Sequence, residues 1–164
     1  MRLRRLQPSE SRELRQWIIE RHYLKSAPPG YRVALEFLNG NDRIGGMLLG
    51  RPTSRELDPG FWLELTRMFF LDVQIPGPNG FLRNHESWAL ARMRKWVRVW
   101  MPGIRGLISY SDPGVGHAGT VYLADGWAPF GTTKARHDHA GWQSREGRRG
   151  EESYSRKVRW VRTP

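Results

Sequence analysis

The chain has 164 residues and no cysteine, with 27 Lys and Arg against 16 Asp and Glu, for a formal charge of +11 and a pI near 11.0. This length suits one domain that buries a real core, and the absence of cysteine excludes disulfides, thiolate zinc sites and a cysteine nucleophile. No apolar run approaches the ~20 residues that span a bilayer, and the basic N-terminus lacks the apolar run of a signal peptide, so a cytoplasmic protein is expected.

A small domain this basic attracts polyanions, and nucleic acid is the leading partner class. The alternative is a basic protein that is merely soluble or holds ribosomes loosely. Most of the excess is arginine, including Arg148, Arg149 and the segment from Arg156 to Arg162, and the planar guanidinium suits phosphates and base edges.

Pro8 and Ser9 open a predicted helix that runs to about Arg21, with Leu14, Trp17 and Ile18 on its buried face. Tyr31 to Leu38 reads as a strand, Asn39 to Asp42 as a turn, and Arg43 to Gly50 as the second strand of a hairpin. Its Gly45-Gly46 pair suggests a bulge or a close backbone approach. Phe61 to Val73 reads as a long central strand. Strict alternation puts Glu64, Thr66, Met68 and Phe70 on one face and Leu63, Leu65, Arg67, Phe69 and Leu71 on the other. A charge on each face of a central strand is costly unless it is paired, so Glu64 and Arg67 either form structural ion pairs or face a cleft.

Gln74 to Arg83 reads as a flexible loop. Asn84 can cap the next helix, with Glu86 in its first turn and Ala89, Met93, Trp96, Val97 and Trp100 as its apolar stripe. Pro102 and Gly103 end that helix. From Gly106 a short buried strand leads through Leu107 and Ile108 into Ser109, Tyr110, Ser111 and Asp112, then a Pro-Gly turn, His117, a helix over about Ala118 to Asp125, a stop at Gly126 and a strand from Trp127. That arrangement collects hydroxyls, a carboxylate and an imidazole at a sheet edge. Ser109 and Ser111 point to one side, and Asp112 is either a substrate-facing carboxylate or a turn former before Pro113.

About 132–152 reads as a basic mobile loop; its His137-Asp138-His139 is either a metal site or simply solvated. Tyr154 to Val161 reads as a terminal strand. The expected fold class is α+β, a mixed, largely antiparallel sheet with helices on both faces, an order similar to that of the small acyltransferase fold called GNAT.

In that order, His22-Tyr23-Leu24, L-E-L-T-R-M at 63–68, N-H-E-S at 84–87, I-S-Y-S-D at 108–112 and G-H-x-G-T-x-Y-L-A at 116–124 resemble the Mom family of phage DNA-modification proteins, a divergent GNAT-like branch. The resemblance implies conversion of adenine in double-stranded DNA to a 6-carbamoylmethylamino form that shields phage DNA from restriction, in the cytoplasm of an infected or lysogenic host. An ordinary GNAT N-acetyltransferase and a catalytically inactive DNA-binding protein are the alternatives. Ordinary GNAT enzymes place a glycine-rich turn where this chain reads R-N-H-E-S-W-A, so an acyl-CoA type donor is possible but lacks the usual pyrophosphate-binding turn. Asn84 and Ser87 remain the candidate donor contacts.

Chemistry on a base amine requires single-stranded DNA or a flipped adenine, which Tyr23 or Trp127 could stack if not buried in the core. Asp112 is the first candidate for proton acceptance; Ser109 and Ser111 could bind the donor's carbonyl. Tyr122 is either the counterpart of a tyrosine that GNAT-like proteins often keep to protonate a leaving group or a helix residue packing on the sheet. The family's association with iron makes His22, His117 and Asp112 a candidate set of two imidazoles and a carboxylate.

Overall fold

The structure, a computed structural model, describes residues 1–28, 30–77, 80–81, 84–134 and 156–164. In chain order they form β1 (Arg2–Arg5), α1 (Pro8–Arg21), β2 (Val33–Asn39), β3 (Asp42–Gly50), β4 (Trp62–Phe70), β5 (Pro76–Gly77), β6 (Gly80–Phe81), α2 (His85–Trp100), β7 (Gly106–Ser111), α3 (Thr120–Ala124), β8 (Ala128–Thr132) and β9 (Val158–Arg162), with a 3₁₀ turn at Pro113–Val115. Seven of these strands make one sheet in the order β1-β2-β3-β4-β7-β9-β8. Its neighbours are antiparallel except β4 and β7, which run parallel.

Local chemistry explains the ends of these elements. A capping box between Gln7 and Glu10 and Pro8 in the first turn start α1. Gly40, at φ 60°, turns β2 into β3. Leu14 and Ile18 are fully buried on the sheet, while Trp17 meets Phe69 edge-on at 5.5 Å. The Gly45-Gly46 pair is a close approach: a Cβ on Gly45 would fall 2.1 Å from the Phe70 ring, and one on Gly46 2.6 Å from Leu14. A larger core joins β2, β3, β4 and β7 to α2 and α3 on the opposite face.

Several expectations need correction. Gln74 to Arg83 was expected as a loop, but it contains the small β5–β6 hairpin. Arg2–Arg5, without an apolar pattern, forms an edge strand on β2. Trp100 is 70% exposed, because the stripe of α2 drifts off the sheet in its last turn, and Leu90, outside the expected stripe, is fully buried. The expected C-terminal strand is present as β9, between β7 and β8. Residues 135–155, including Arg148, Arg149 and the His137-Asp138-His139 motif, lie outside the described residues.

The correction with most consequence is in β4. Leu65 pairs with Leu49 and Arg67 with Leu48, so Thr66 is an extra residue and the alternation inverts there. Leu63 and Leu65 share the α2-side core with Met68 and Phe70, while Phe69 packs on the α1 side. Glu64 and Arg67, expected on opposite faces, therefore fall on the same one.

Candidate functional site

The site is built where two parallel strands part. β4 and β7 pair only at Trp62–Gly106, Leu63–Leu107 and Glu64–Ile108, although β4 continues to Phe70 and β7 to Ser111. Past the last pair, Ser109 Oγ donates to the carbonyl of Leu65 at 3.0 Å, and Arg67 Nη1 donates to the carbonyl of Thr66 at 2.6 Å. Side chains thus satisfy the backbone groups that the separating ladder leaves over.

The split opens into a cleft of about 1850 Å³, bordered by α1, the segment after it, the β3–β4 connection, β4, β7 and β9. Eight Arg and Lys side chains line it against three Glu, so its field favours a polyanion.

Within the cleft, Tyr23 is packed against two histidine rings, His22 stacked at 4.5 Å and His117 tilted at 4.7 Å. The turn after α1 and the turn after β7 bring the three together. His22 Nδ1 accepts from the amide of Leu24 at 3.2 Å, so the neutral ring carries its proton on Nε2. Burial, reinforced by the charges of Arg67 and of His117, Lys157 and Lys25, pushes His22 down to about 3 and keeps it neutral at ordinary pH. Burial and then the Asp112 charge raise the Tyr23 phenol, against an opposing effect of Arg67.

Arg67 Nε donates to the carbonyl of Ser26 at 2.7 Å, tying the segment after α1 to β4. Glu64, 5% exposed, accepts from the Thr53 amide at 2.6 Å and from Thr53 Oγ1 at 3.1 Å. Burial raises its carboxyl even so. Tyr110, half-buried, faces the same cleft, and burial followed by the Glu64 charge raises its phenol.

On the α3 side, Ser109 spends its proton on Leu65, so the Tyr122 hydroxyl must donate to Ser109 Oγ, 2.8 Å away. Burial pushes Tyr122 up to about 12. Its ring stacks on Trp160 at 5.6 Å, and Trp160 Nε1 donates to Ser111 Oγ at 2.8 Å. Ser109 and Ser111 do share one side of the sheet, but both hydroxyls are engaged there in core hydrogen bonds. Tyr122 likewise directs its proton at Ser109, although all three residues line the cleft. Trp127 is 2% exposed and donates to Asp125, a core role that leaves no face for stacking a base.

Asp112 is fully buried. Its Oδ1 accepts from the amide of Gly114 at 3.0 Å, which is the turn-forming role, and its carboxylate is not part of the cleft wall. It acts on the cleft through its charge on Tyr23.

The expected metal set also needs correction. His22 and His117 converge, but as rings against Tyr23, and the lone pair on His22 Nδ1 is taken by a backbone amide. Among the described residues no group of three His, Asp, Glu or Cys is arranged to hold a metal ion.

At the start of α2, Asn84 holds the N-cap position at φ 57° with no side-chain cap bond, contrary to the expected cap. Ser87 Oγ is turned inward onto the Asn84 carbonyl at 2.8 Å, and Glu86 brings a negative charge into the first turn. These residues do not fit a coenzyme A pyrophosphate at that terminus.

Thr53, Ser26 and Tyr110 escaped the reading of the sequence. Only Tyr110 carried a signal, as the residue between two serines that must face the other way. A model of the Mom protein family matches residues 4–163. No curated protein matches.

Similar solved structures include ribosomal-protein-S5-alanine acetyltransferase from Vibrio fischeri, with TM-score 0.62 and 10% identity over 98% of this chain and 91% of that one. An acetyltransferase of the GNAT family from Streptococcus pneumoniae gives 0.61 and 12%, over 99% and 98%. AAC(6')-Ib in complex with ribostamycin and coenzyme A gives 0.62 and 13%, over 98% and 92%. At such identities the likeness concerns the fold, which is that of the GNAT acetyltransferases.

Proposed function

This chain belongs to the Mom protein family, and on that premise we propose that it is a DNA base-modifying enzyme that converts adenine to its 6-carbamoylmethylamino form. Such a product would protect phage DNA from restriction nucleases in the bacterial host. The observation that carries the reading is the placement of Tyr23, with His22 and His117 against its ring, in a basic cleft that opens onto the split between β4 and β7.

The chemistry matches that placement. An exocyclic amine inside a duplex is out of reach, and extruding its base costs a few kcal/mol. Stacking on an aromatic ring returns about 1–3 kcal/mol per base, and of the half-buried cleft rings Tyr23 and Tyr110, Tyr23 is the one set between two imidazoles. Arg and Lys on the cleft rim neutralise the flanking phosphates. Neutral His22, with Nε2–H as a donor, suits a purine ring nitrogen; the protonated form would bring a further charge into a site already crowded with cations. The amine then attacks the activated carbon of a small donor held at the split.

A second reading, an N-acetyltransferase for other amines, draws on the fold and on the coenzyme A-bound structure among its neighbours. Glu86 and the inward-turned Ser87 weigh against it. Stoichiometric, tight acetyl-CoA binding would favour that reading. Nucleoside analysis of DNA from cells making the protein tests the adenine reading and separates it from a DNA-binding protein without activity.

A further inference from the structure

We propose that Glu64 is the catalytic residue that accepts the proton the substrate amine gives up, a role resting on the adenine-modifying reading above. Three carboxylates line the cleft: Glu56, Glu64 and Glu86. Glu56 is exposed on the β3–β4 connection, and Glu86 is at the start of α2, 3.7 Å from His85 Nε2.

Glu64 is the residue of β4 in the last pair before β4 and β7 separate. Its charge is felt by Tyr110 on the α1 side and by Tyr122 on the α3 side. All three residues line the cleft. Thr53 fixes both of its oxygens, one contact each; a carboxylate has about four acceptor positions, so each oxygen keeps one for a substrate N–H.

Of the other titratable groups around the split, His117 is held against the Tyr23 ring on an exposed turn, and the rest are poorly suited. Asp112 is enclosed in its turn. His22 presents an N–H, and Tyr23, Tyr110 and Tyr122 are phenols held protonated. Arg67 on β4, Arg55 on the β3–β4 connection, Arg159 and Lys157 by β9, Arg15 and Arg21 on α1, Lys25 after it and Lys134 after β8 are the cations facing the same space. Arg67 opposes the effect of burial on Glu64.

The step balances without a redox partner. As the amine nitrogen bonds to the carbon of a carbamoylmethyl donor, the bond from that carbon to its heteroatom leaving group breaks and the leaving group takes the electron pair. One N–H bond breaks, and its proton passes to a Glu64 oxygen.

Two variants test this by the rate of adenine modification against pH. Glu64→Gln should lower the rate by roughly 10²–10⁴-fold, abolish the acid limb and leave DNA affinity within about twofold of wild type. Thr53→Ala keeps the backbone contact and removes the hydroxyl that lowers the Glu64 pKa, so the acid limb should move to higher pH. An NMR titration of the Glu64 carboxyl should show the same midpoint and the same displacement. A folded Glu64→Gln protein within about tenfold of the wild-type rate would overturn the assignment, as would an acid limb that Thr53→Ala does not move. A wild-type protein that leaves adenine unmodified would overturn the adenine reading and this role with it, whatever the carboxyl titration shows.

Discussion

Ser109 Oγ donates to the carbonyl of Leu65 at 3.0 Å, one residue beyond the last β4–β7 pair. This bond ends the ladder in place of another strand and fixes the direction of the Tyr122 hydroxyl, which can only donate to Ser109. Ser109→Ala should leave a buried carbonyl and a buried phenol without this partner and cost about 1–3 kcal/mol. Urea denaturation checks it, and a cycle with Tyr122→Phe should be non-additive because both changes break one network. Additive losses would mean that the two hydroxyls do not act together.

Gly119 and Gly116 separate two reasons for keeping glycine. Both have positive φ, 82° and 83°. A Cβ on Gly119 would fall 2.3 Å from the Trp160 ring, whereas one on Gly116 meets nothing within 4 Å. Gly116→Ala should cost about 1–2 kcal/mol from backbone strain. Gly119→Ala should cost clearly more, because the Trp160 ring that stacks on Tyr122 must move as well. Thermal denaturation of both variants checks the order.

His22 makes stability pH-dependent in a defined sense. Its folded pKa, about 3, is below the ordinary 6.5. Between those values the unfolded chain binds a proton that the folded chain does not. Stability is then fully present above about pH 6.5 and is lost as pH falls toward 3. Between pH 7 and pH 5 the loss from this group should be roughly 1–2 kcal/mol, trimmed by its partial exposure. Denaturation midpoints at the two pH values should show this, and His22→Gln should flatten the dependence.

Tyr23→Phe keeps the ring and removes the hydroxyl, while Tyr23→Ala removes the stacking surface against His22 and His117. With 2-aminopurine in place of the target adenine, the wild type and Tyr23→Phe should give the fluorescence rise of an unstacked base. Tyr23→Ala should lose that rise and bind duplex DNA more weakly by about 1–3 kcal/mol. Equal signals from all three proteins would place the base elsewhere.

The sequence disclosed the α+β order because α1, α2 and the strands carry strong periodicities and glycine stops, as at Gly126. Bulges carry no such signature: Thr66 looks like any alternating residue, yet it puts Glu64 and Arg67 on one face. Ser109, Ser111 and Asp112 were visible as polar groups at a strand end. Their partners Leu65, Trp160 and Gly114 come from tertiary packing or turn geometry, and these decide that the three groups serve the core and the turn. The meeting of His22, Tyr23 and His117 joins residues 95 positions apart, a distance that local pattern cannot bridge.

The central claim is chemical, and mass spectrometry of nucleosides tests it most directly. DNA from cells making the wild-type protein should contain deoxyadenosine in which a carbamoylmethyl group replaces one hydrogen of the 6-amino group. DNA from cells making an equal amount of folded Tyr23→Ala protein should contain much less. Unmodified deoxyadenosine in wild-type cells, alongside a positive control that gives the modified form, would contradict the account.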